Sequence, residues 1–233
     1  MPNTSQLLGL SALLAVAAGA TGTPRPATHG MHTVAEAPGA WKNVSSLSAW
    51  RAYKGTAAPG EWHQMGDTIM KSKGTEDLVS RDQYQDFEFE FDWKLSPGGN
   101  AGVFYHATEE GDKVYWTGPE YQLLDDARHP DGKNALTSSG AAYGLYAPPR
   151  GVVKPAGEWN STRIVIRGPH VEHWLNGQKV VQYELWSPDW EAKVKASKFD
   201  AWKGYGRAKK GYIGIQGDHT GELALRNLRI RTL

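Results

Sequence analysis

The 233-residue chain contains no cysteine. That excludes disulfides, thiolate metal sites and a cysteine nucleophile. It also lacks an excess of either charge: 26 Lys and Arg stand against 25 Asp and Glu, a formal +1. Nothing in that balance argues for nucleic acid as a partner. Phenylalanine is scarce, five residues against ten Trp and ten Tyr. Rings with a polar handle suit a wet, sugar-contacting surface as well as a sandwich core. The apolar run Leu7 to Ala20 falls short of the ~20 residues a spanning helix needs. No G-x-S-x-G, Walker-type loop, H-E-x-x-H or cysteine-based zinc spacing occurs. No repeat of 20–50 residues is visible, which argues against a propeller.

The run Leu7 to Ala20 closes on Ala18-Gly19-Ala20, small residues of the kind that precede a signal cleavage site. Residues 1–6 carry no Lys or Arg, so the amino terminus is the one positive charge ahead of it. Residues 1–20 are therefore expected to be a cleavable signal, and the mature chain an exported protein with no membrane attachment. Residues 21–40 are small, polar and proline-rich and read as a linker. Residues 41–233 read as one folded domain.

Short alternating segments separated by Gly, Pro, Asn and Asp turns fill that domain. Phe87 to Lys94 alternates throughout, four aromatics on one face and four charges on the other. Strands are further expected at Glu61–Met65, Thr68–Lys71, Leu78–Ser80, Ala101–Ala107, Glu120–Asp125, Thr162–Arg167, Val171–Leu175, Gln178–Tyr183, Gly211–Gly217 and Glu222–Arg231. Asn176-Gly177 between two alternating runs is a strong hairpin signal. Helix is expected only as a turn at Leu47–Trp50 and at Asp189–Ser197, after Ser187-Pro188. Many strands and almost no helix predict an all-β, two-sheet antiparallel jelly-roll sandwich.

Candidate site residues follow from strand alternation. Glu120 and Gln122 share one face of their strand, beside Tyr115 and Trp116. Gly98-Gly99-Asn100-Ala101-Gly102 precedes a strand rather than a helix, so it reads as a tight turn from which Asn100 can reach a ligand. Asp125 to Asp131 gathers three carboxylates and a histidine after a strand end, where sites are commonly built. Asp125 and His129 are the candidates there, and Asp126 and Asp131 read as solvated turn residues. Such an oxygen-rich loop also suits calcium or magnesium, although its spacing is not that of an EF-hand; no metal ligand set is assigned. His173 shares a face with Val171 and Leu175, which fits a hydrogen-bonded core histidine as well as a catalytic one. Glu172 and Trp174 share the other face. Gln216 ends a strand and delivers Asp218 and His219 into a loop, where His219 is placed for acid–base work.

Seven motifs then occur in one order. They are Gly99–Tyr105 (GNAGVFY), Pro119–Asp125 (PEYQLLD), Tyr143–Pro148 (YGLYAP), Lys154–Asn160 (KPAGEWN), His173–Gly177 (HWLNG), Ile215-Gln216 and Arg226–Ile230 (RNLRI). Together they resemble the 3-keto-disaccharide hydrolase family over roughly residues 41–233, while residues 187–207 contribute no motif. The resemblance implies a concanavalin A-like jelly roll, usually exported from bacteria. It also implies cleavage of glycosides whose sugar carries a ketone at C3, with a small carbohydrate as the partner. On that reading Glu120, His219, His129 and His173 are the candidate catalytic groups. Asn100, Tyr105, Trp116, Gln122, Asp125, Lys154, Glu172 and Gln216 are the candidate substrate contacts.

A C3 ketone acidifies the C2 proton and places the C1 oxygen β to the carbonyl. Elimination then needs a base (Glu120 or His219), a stabiliser of the enolate (Gln122, Lys154 or a bound cation) and an acid for the leaving oxygen (His129 or His173). One rival is an ordinary glycoside hydrolase, which needs two carboxylates flanking C1; Glu120 and Glu172 are the available pair. The other is a non-catalytic carbohydrate-binding domain, since this fold class hosts many functions.

Overall fold

Alternation decides the architecture. In Phe87–Leu95, residues Phe87, Phe89, Phe91 and Trp93 are buried, while Glu90, Asp92 and Lys94 face outward. That segment is the sixth strand of a computed structural model that describes residues 38–233. The expectations for residues 1–20 and 21–37 lie outside the described residues. In chain order the strands are β1 (Lys42–Asn43), β2 (Trp50–Ala52), β3 (His63–Met65), β4 (Thr68–Lys71), β5 (Leu78–Ser80), β6 (Phe87–Leu95) and β7 (Asn100–Ala107). They continue with β8 (Glu120–Leu124), β9 (Asn160–Arg167), β10 (His170–Leu175) and β11 (Gln178–Glu184). The helix α1 (Pro188–Lys195) precedes β12 (Tyr212–Ile215) and β13 (Leu223–Thr232).

Every described strand pairing is antiparallel. The larger sheet runs β11-β10-β9-β6-β13-β4-β3, with β1 also on β13. The smaller runs β2-β5-β12-β7-β8. The all-β two-sheet jelly roll expected from the sequence is what the chain forms. Asn176 and Gly177 both take positive φ, 50° and 82°, which is what a two-residue hairpin turn between β10 and β11 requires.

The core lies between the sheets. Ala101, Val103 and Tyr105 of β7, Tyr121 and Leu123 of β8, and Ile213 and Ile215 of β12 meet the β6 aromatics and Ile164 and Ile166 of β9 there. By period two, the alternate residues of the smaller sheet face away from the core: Asn100, Gly102 and Phe104 of β7, Glu120 and Gln122 of β8, and Gln216 just beyond β12. Phe104, Val79, Ala107 and Val114 form a small second apolar cluster on that outer side.

The segment after β11 is pinned by stacked rings. Ser187 caps α1, its Oγ accepting from the Trp190 amide at 3.2 Å. Pro188 fills the first helical turn, and Asp189 and Glu191 sit where the helix dipole favours negative charge. Trp190 stacks on Tyr183 (5.3 Å, 6°) and on Tyr205 (6.1 Å, 3°), and Tyr205 stacks on Phe199 (4.0 Å, 5°). This series fixes the short helical turn Lys198–Ala201 against the sandwich.

Candidate active site

Glu120 opens β8 and its side chain crosses over β7 at Gly102. A Cβ on Gly102 would lie 2.0 Å from Glu120 Oε1, so the glycine is what makes room for the carboxyl. Glu120 is buried, and burial pushes its carboxyl up to about 8. The Lys198 ammonium pulls the other way, while Asp77, Asp218 and Asp131 add to the rise. No hydrogen bond holds the ionised form. A carboxyl in this condition exchanges a proton near neutral pH and has an unused acceptor, both marks of an acid–base group.

Amide side chains surround it. Gln122 pairs with Gly102 across the β7–β8 ladder, and the Gln216 backbone N–H donates to the Gly102 carbonyl at 2.9 Å. Gln122, Gly102 and Gln216 thus form one row across three strands. Asn100 Oδ1, Gln122 Oε1 and Gln216 Oε1 are all buried without a partner. Buried polar atoms are nearly always hydrogen-bonded; these three oxygens, on one face beside an unpaired carboxyl, are acceptors left without a protein donor.

Histidines close one end. His129 Nδ1 accepts from the Asp131 amide at 3.2 Å, and its Nε2 lies 3.5 Å from the Asn100 side-chain amide. His219 is half-buried, and burial holds its ring below the usual histidine range, with Asp218 opposing and His129 assisting. At the other end Tyr143 donates its amide to the Glu120 carbonyl at 3.0 Å. The Lys198 ammonium lies 4.5 Å above the Tyr143 ring.

The structure therefore brings together Glu120, Gln122, Asn100, Gln216, His129 and His219. Trp116 sits on a turn at Val114–Trp116 and stacks at 6.1 Å on Trp202, which also packs against Phe199. Five expectations need correction. Tyr105 is an inward residue of β7, wholly buried, and it bonds His173 and Tyr183 rather than a ligand. His173 is a core histidine. Its Nδ1 donates to the Gly140 carbonyl at 3.0 Å and its Nε2 accepts from Tyr105 at 3.1 Å. Burial pulls it down to about 4, so it stays neutral and hands no proton to a leaving group. Glu172 lies on the outer face of the larger sheet, bonded to Trp174 and Lys179. The two sheets stand between it and Glu120, so they do not form a glycosidase pair. Lys154 donates to the Trp159 carbonyl at 2.9 Å and offers nothing to Glu120. Asp125 is a turn cap that accepts from the Gly98 and Ala127 amides.

Asp126 is more than a solvated turn residue, accepting from the Ser139 amide at 2.8 Å. Asp131 sits half-buried in the turn Pro130–Lys133, from which it contributes to the fields at Glu120 and His219. The sequence reading missed Lys198, Tyr143 and Asp77. Asp77 precedes β5, accepts from the Gly217 amide at 2.7 Å and is raised to about 6 by burial. Among the described residues no three His, Asp, Glu or Cys side chains converge as a ligand set, and no step below passes through a cation.

Known proteins share this fold. A structure from Parabacteroides distasonis ATCC 8503, described as a candidate glycosyl hydrolase, superposes with TM-score 0.74 at 31% identity. It covers 80% of this chain and 89% of its own. A second such structure from that organism gives TM-score 0.63 at 29% identity, over 79% of this chain and 99% of its own. The 3-keto-disaccharide hydrolase of Bacteroides thetaiotaomicron is 32% identical over 221 residues, 81% of this chain and 76% of that protein. Fold, site and relatives define a jelly-roll enzyme that cleaves glycosides. Residues 40–231 match the 3-keto-alpha-glucoside-1,2-lyase-like domain, and the chain belongs to that family.

Proposed function

We propose that the chain cleaves 3-keto-glycosides by elimination, with Glu120 as the base. The observation that carries this is a buried carboxyl, free of hydrogen bonds and raised to about 8, on a face with three unpartnered amide oxygens. The family and the named relative support the substrate class.

Glu120 takes the C2 proton, and the C2–H electron pair moves onto the C3 oxygen as an enolate. The enolate collapses to a C1–C2 double bond, and the C1–O bond breaks with its electrons on the leaving oxygen. His129, beside the Asn100 side chain, delivers the proton that oxygen needs. Addition of water across C1–C2 places hydroxide at C1 and a proton at C2, which completes net hydrolysis. The enolate carries charge only during the reaction. Cationic or N–H groups aimed at it therefore accelerate the step more than they tighten substrate binding. Lys198 and the Gln216 amide group are the candidates on this face. The unpartnered oxygens of Gln122 and Gln216 accept from sugar hydroxyls.

The test compares a 4-nitrophenyl 3-keto-glucoside with its unoxidised parent, with and without chelator. Turnover of the keto form alone, giving an unsaturated 2-hydroxy-3-keto product when water is limiting, is the expected result. Turnover of the parent alone indicates an ordinary glycosidase. Sugar binding with no turnover of either indicates a binding domain.

A further inference from the structure

The outer face of the larger sheet, opposite the Glu120 face, carries a second built surface. Glu88, Glu90 and Asp92 of β6 form a column of acids. Arg229 meets Glu90 at 2.8 Å and Arg231 meets Glu88 at 2.8 Å through their Nε atoms. Arg163 of β9 reaches Glu88 at 3.3 Å, and Arg226 reaches Asp92 at 3.3 Å. Each floor acid is thus matched by a guanidinium, so the surface projects little net field. Such a surface does not select for nucleic acid or for an anionic polymer.

Indoles bound it. Trp174 of β10 lies under the Arg163 guanidinium at 4.0 Å, and Trp41 lies under Arg229 at 4.5 Å. Both rings are half-buried. Trp174 is further fixed by its Nε1, which donates to Glu172 at 2.8 Å. Between them runs a groove of about 850 Å³ whose polar lining includes Asn43, Ser161 and Asn227. Order in the sheet places β1 four strand intervals from β10, so Trp41 and Trp174 stand roughly 19 Å apart across the strands. That span and volume exceed what a single sugar ring fills.

The geometry points to a binding site for a neutral oligosaccharide in this groove, distinct from the catalytic face. Arg163 covers one face of Trp174, and Arg229 with Arg231 covers Trp41; the indole surface they leave open takes the C–H faces of pyranose rings. Carboxylates already fixed by arginine, with the Ser161 hydroxyl and asparagine amides, take uncharged hydroxyls in several orientations without needing a charged ligand. An acyclic or strongly charged partner would leave that pairing unused. The site lies on the opposite side of the sandwich, so a glycan can be held there while the Glu120 face acts on a glycosidic end. This inference does not depend on the 3-keto reading.

The test is titration of the full chain with neutral glucan oligosaccharides of several linkages, followed by indole fluorescence and calorimetry. Trp174→Ala and Trp41→Ala are compared with Ser161→Arg, which fills the groove at an exposed floor position without removing a ring. The expected result is saturable binding of at least one oligosaccharide, weakened about tenfold or more by each substitution. Turnover of a small substrate at the Glu120 face stays unchanged. The Ser161→Arg variant keeps the test valid if a tryptophan variant melts early. Three results overturn the inference: no binding of any neutral oligosaccharide, binding that survives all three substitutions, or self-association of the chain that these substitutions abolish without any effect on sugar.

Discussion

Gly102 has no side chain, and Glu120 occupies the space that one would fill. A Cβ at Gly102 would stand 2.0 Å from Glu120 Oε1 and 2.8 Å from its Cγ. The obstacle is the end of a flexible side chain rather than backbone. Gly102→Ala is therefore expected to fold, with a melting temperature close to that of the parent. It is expected to displace the carboxyl from its seat, with a loss in kcat on the order of 10²-fold or more. Parallel melts and turnover measurements check this.

Glu120 acts as a base only when ionised. Its proton affinity near 8 predicts that kcat/KM rises with pH and levels off above that value. The same shift has a stability consequence of opposite sign. A carboxyl that binds its proton more tightly folded than unfolded contributes stability that is fully present below its unfolded value, and this is lost as pH rises through about 8. Glu120→Gln should flatten that part of the stability profile while removing activity. Thermal melts across that window, for parent and variant, give the answer.

Lys198 is the strongest charge opposing the rise at Glu120. Lys198→Met should move the rising limb of the pH–rate profile to higher pH, and Lys198→Arg should restore its position. A profile unmoved by Lys198→Met would show that this ammonium does not act on the site.

His173 is expected to matter for folding and not for chemistry. Replacing it with Leu orphans the Gly140 carbonyl and leaves the Tyr105 hydroxyl with Tyr183 as its one partner, at about 1–3 kcal/mol for the buried carbonyl left unpaired. Turnover should stay within a few-fold. The parent's own pH dependence follows from a ring that resists protonation until about 4. Stability held by neutral His173 is present above the ordinary histidine range and falls as pH drops toward that value. Urea titrations of parent and variant at several pH values test both statements.

The sandwich was legible because its strands alternate. Phe87 to Lys94 announces a half-buried strand, and Asn176-Gly177 announces a hairpin. Glu120 and Gln122 were legible for the same reason, since neighbours two apart share a face. Alternation also put Glu172 with Trp174, opposite Val171 and Leu175, but it does not say which face meets the core, or which sheet a strand joins, until the sheets are assembled. Tyr105, an expected substrate contact on the resemblance, shows the same limit. His173 shows the limit in another way: its apolar neighbours Val171 and Leu175 allowed a core role, and the partners that decide it come from Tyr105 and Gly140, far off in sequence. Lys198 had no local signal at all. It reaches the site because Trp190, Tyr205 and Phe199 stack, and that stacking joins residues from a helix, a turn and a loop.

The central claim is that Glu120 removes the C2 proton of a 3-keto-glycoside. It is tested most directly by following loss of the C2 hydrogen and release of the aglycone from one 3-keto-glucoside in deuterated water, for the parent and for Glu120→Gln. The account predicts that the variant loses both together, by about 10²–10⁴-fold, with binding of the sugar retained. Full turnover by Glu120→Gln, or aglycone release by the parent with the C2 hydrogen untouched, would contradict it.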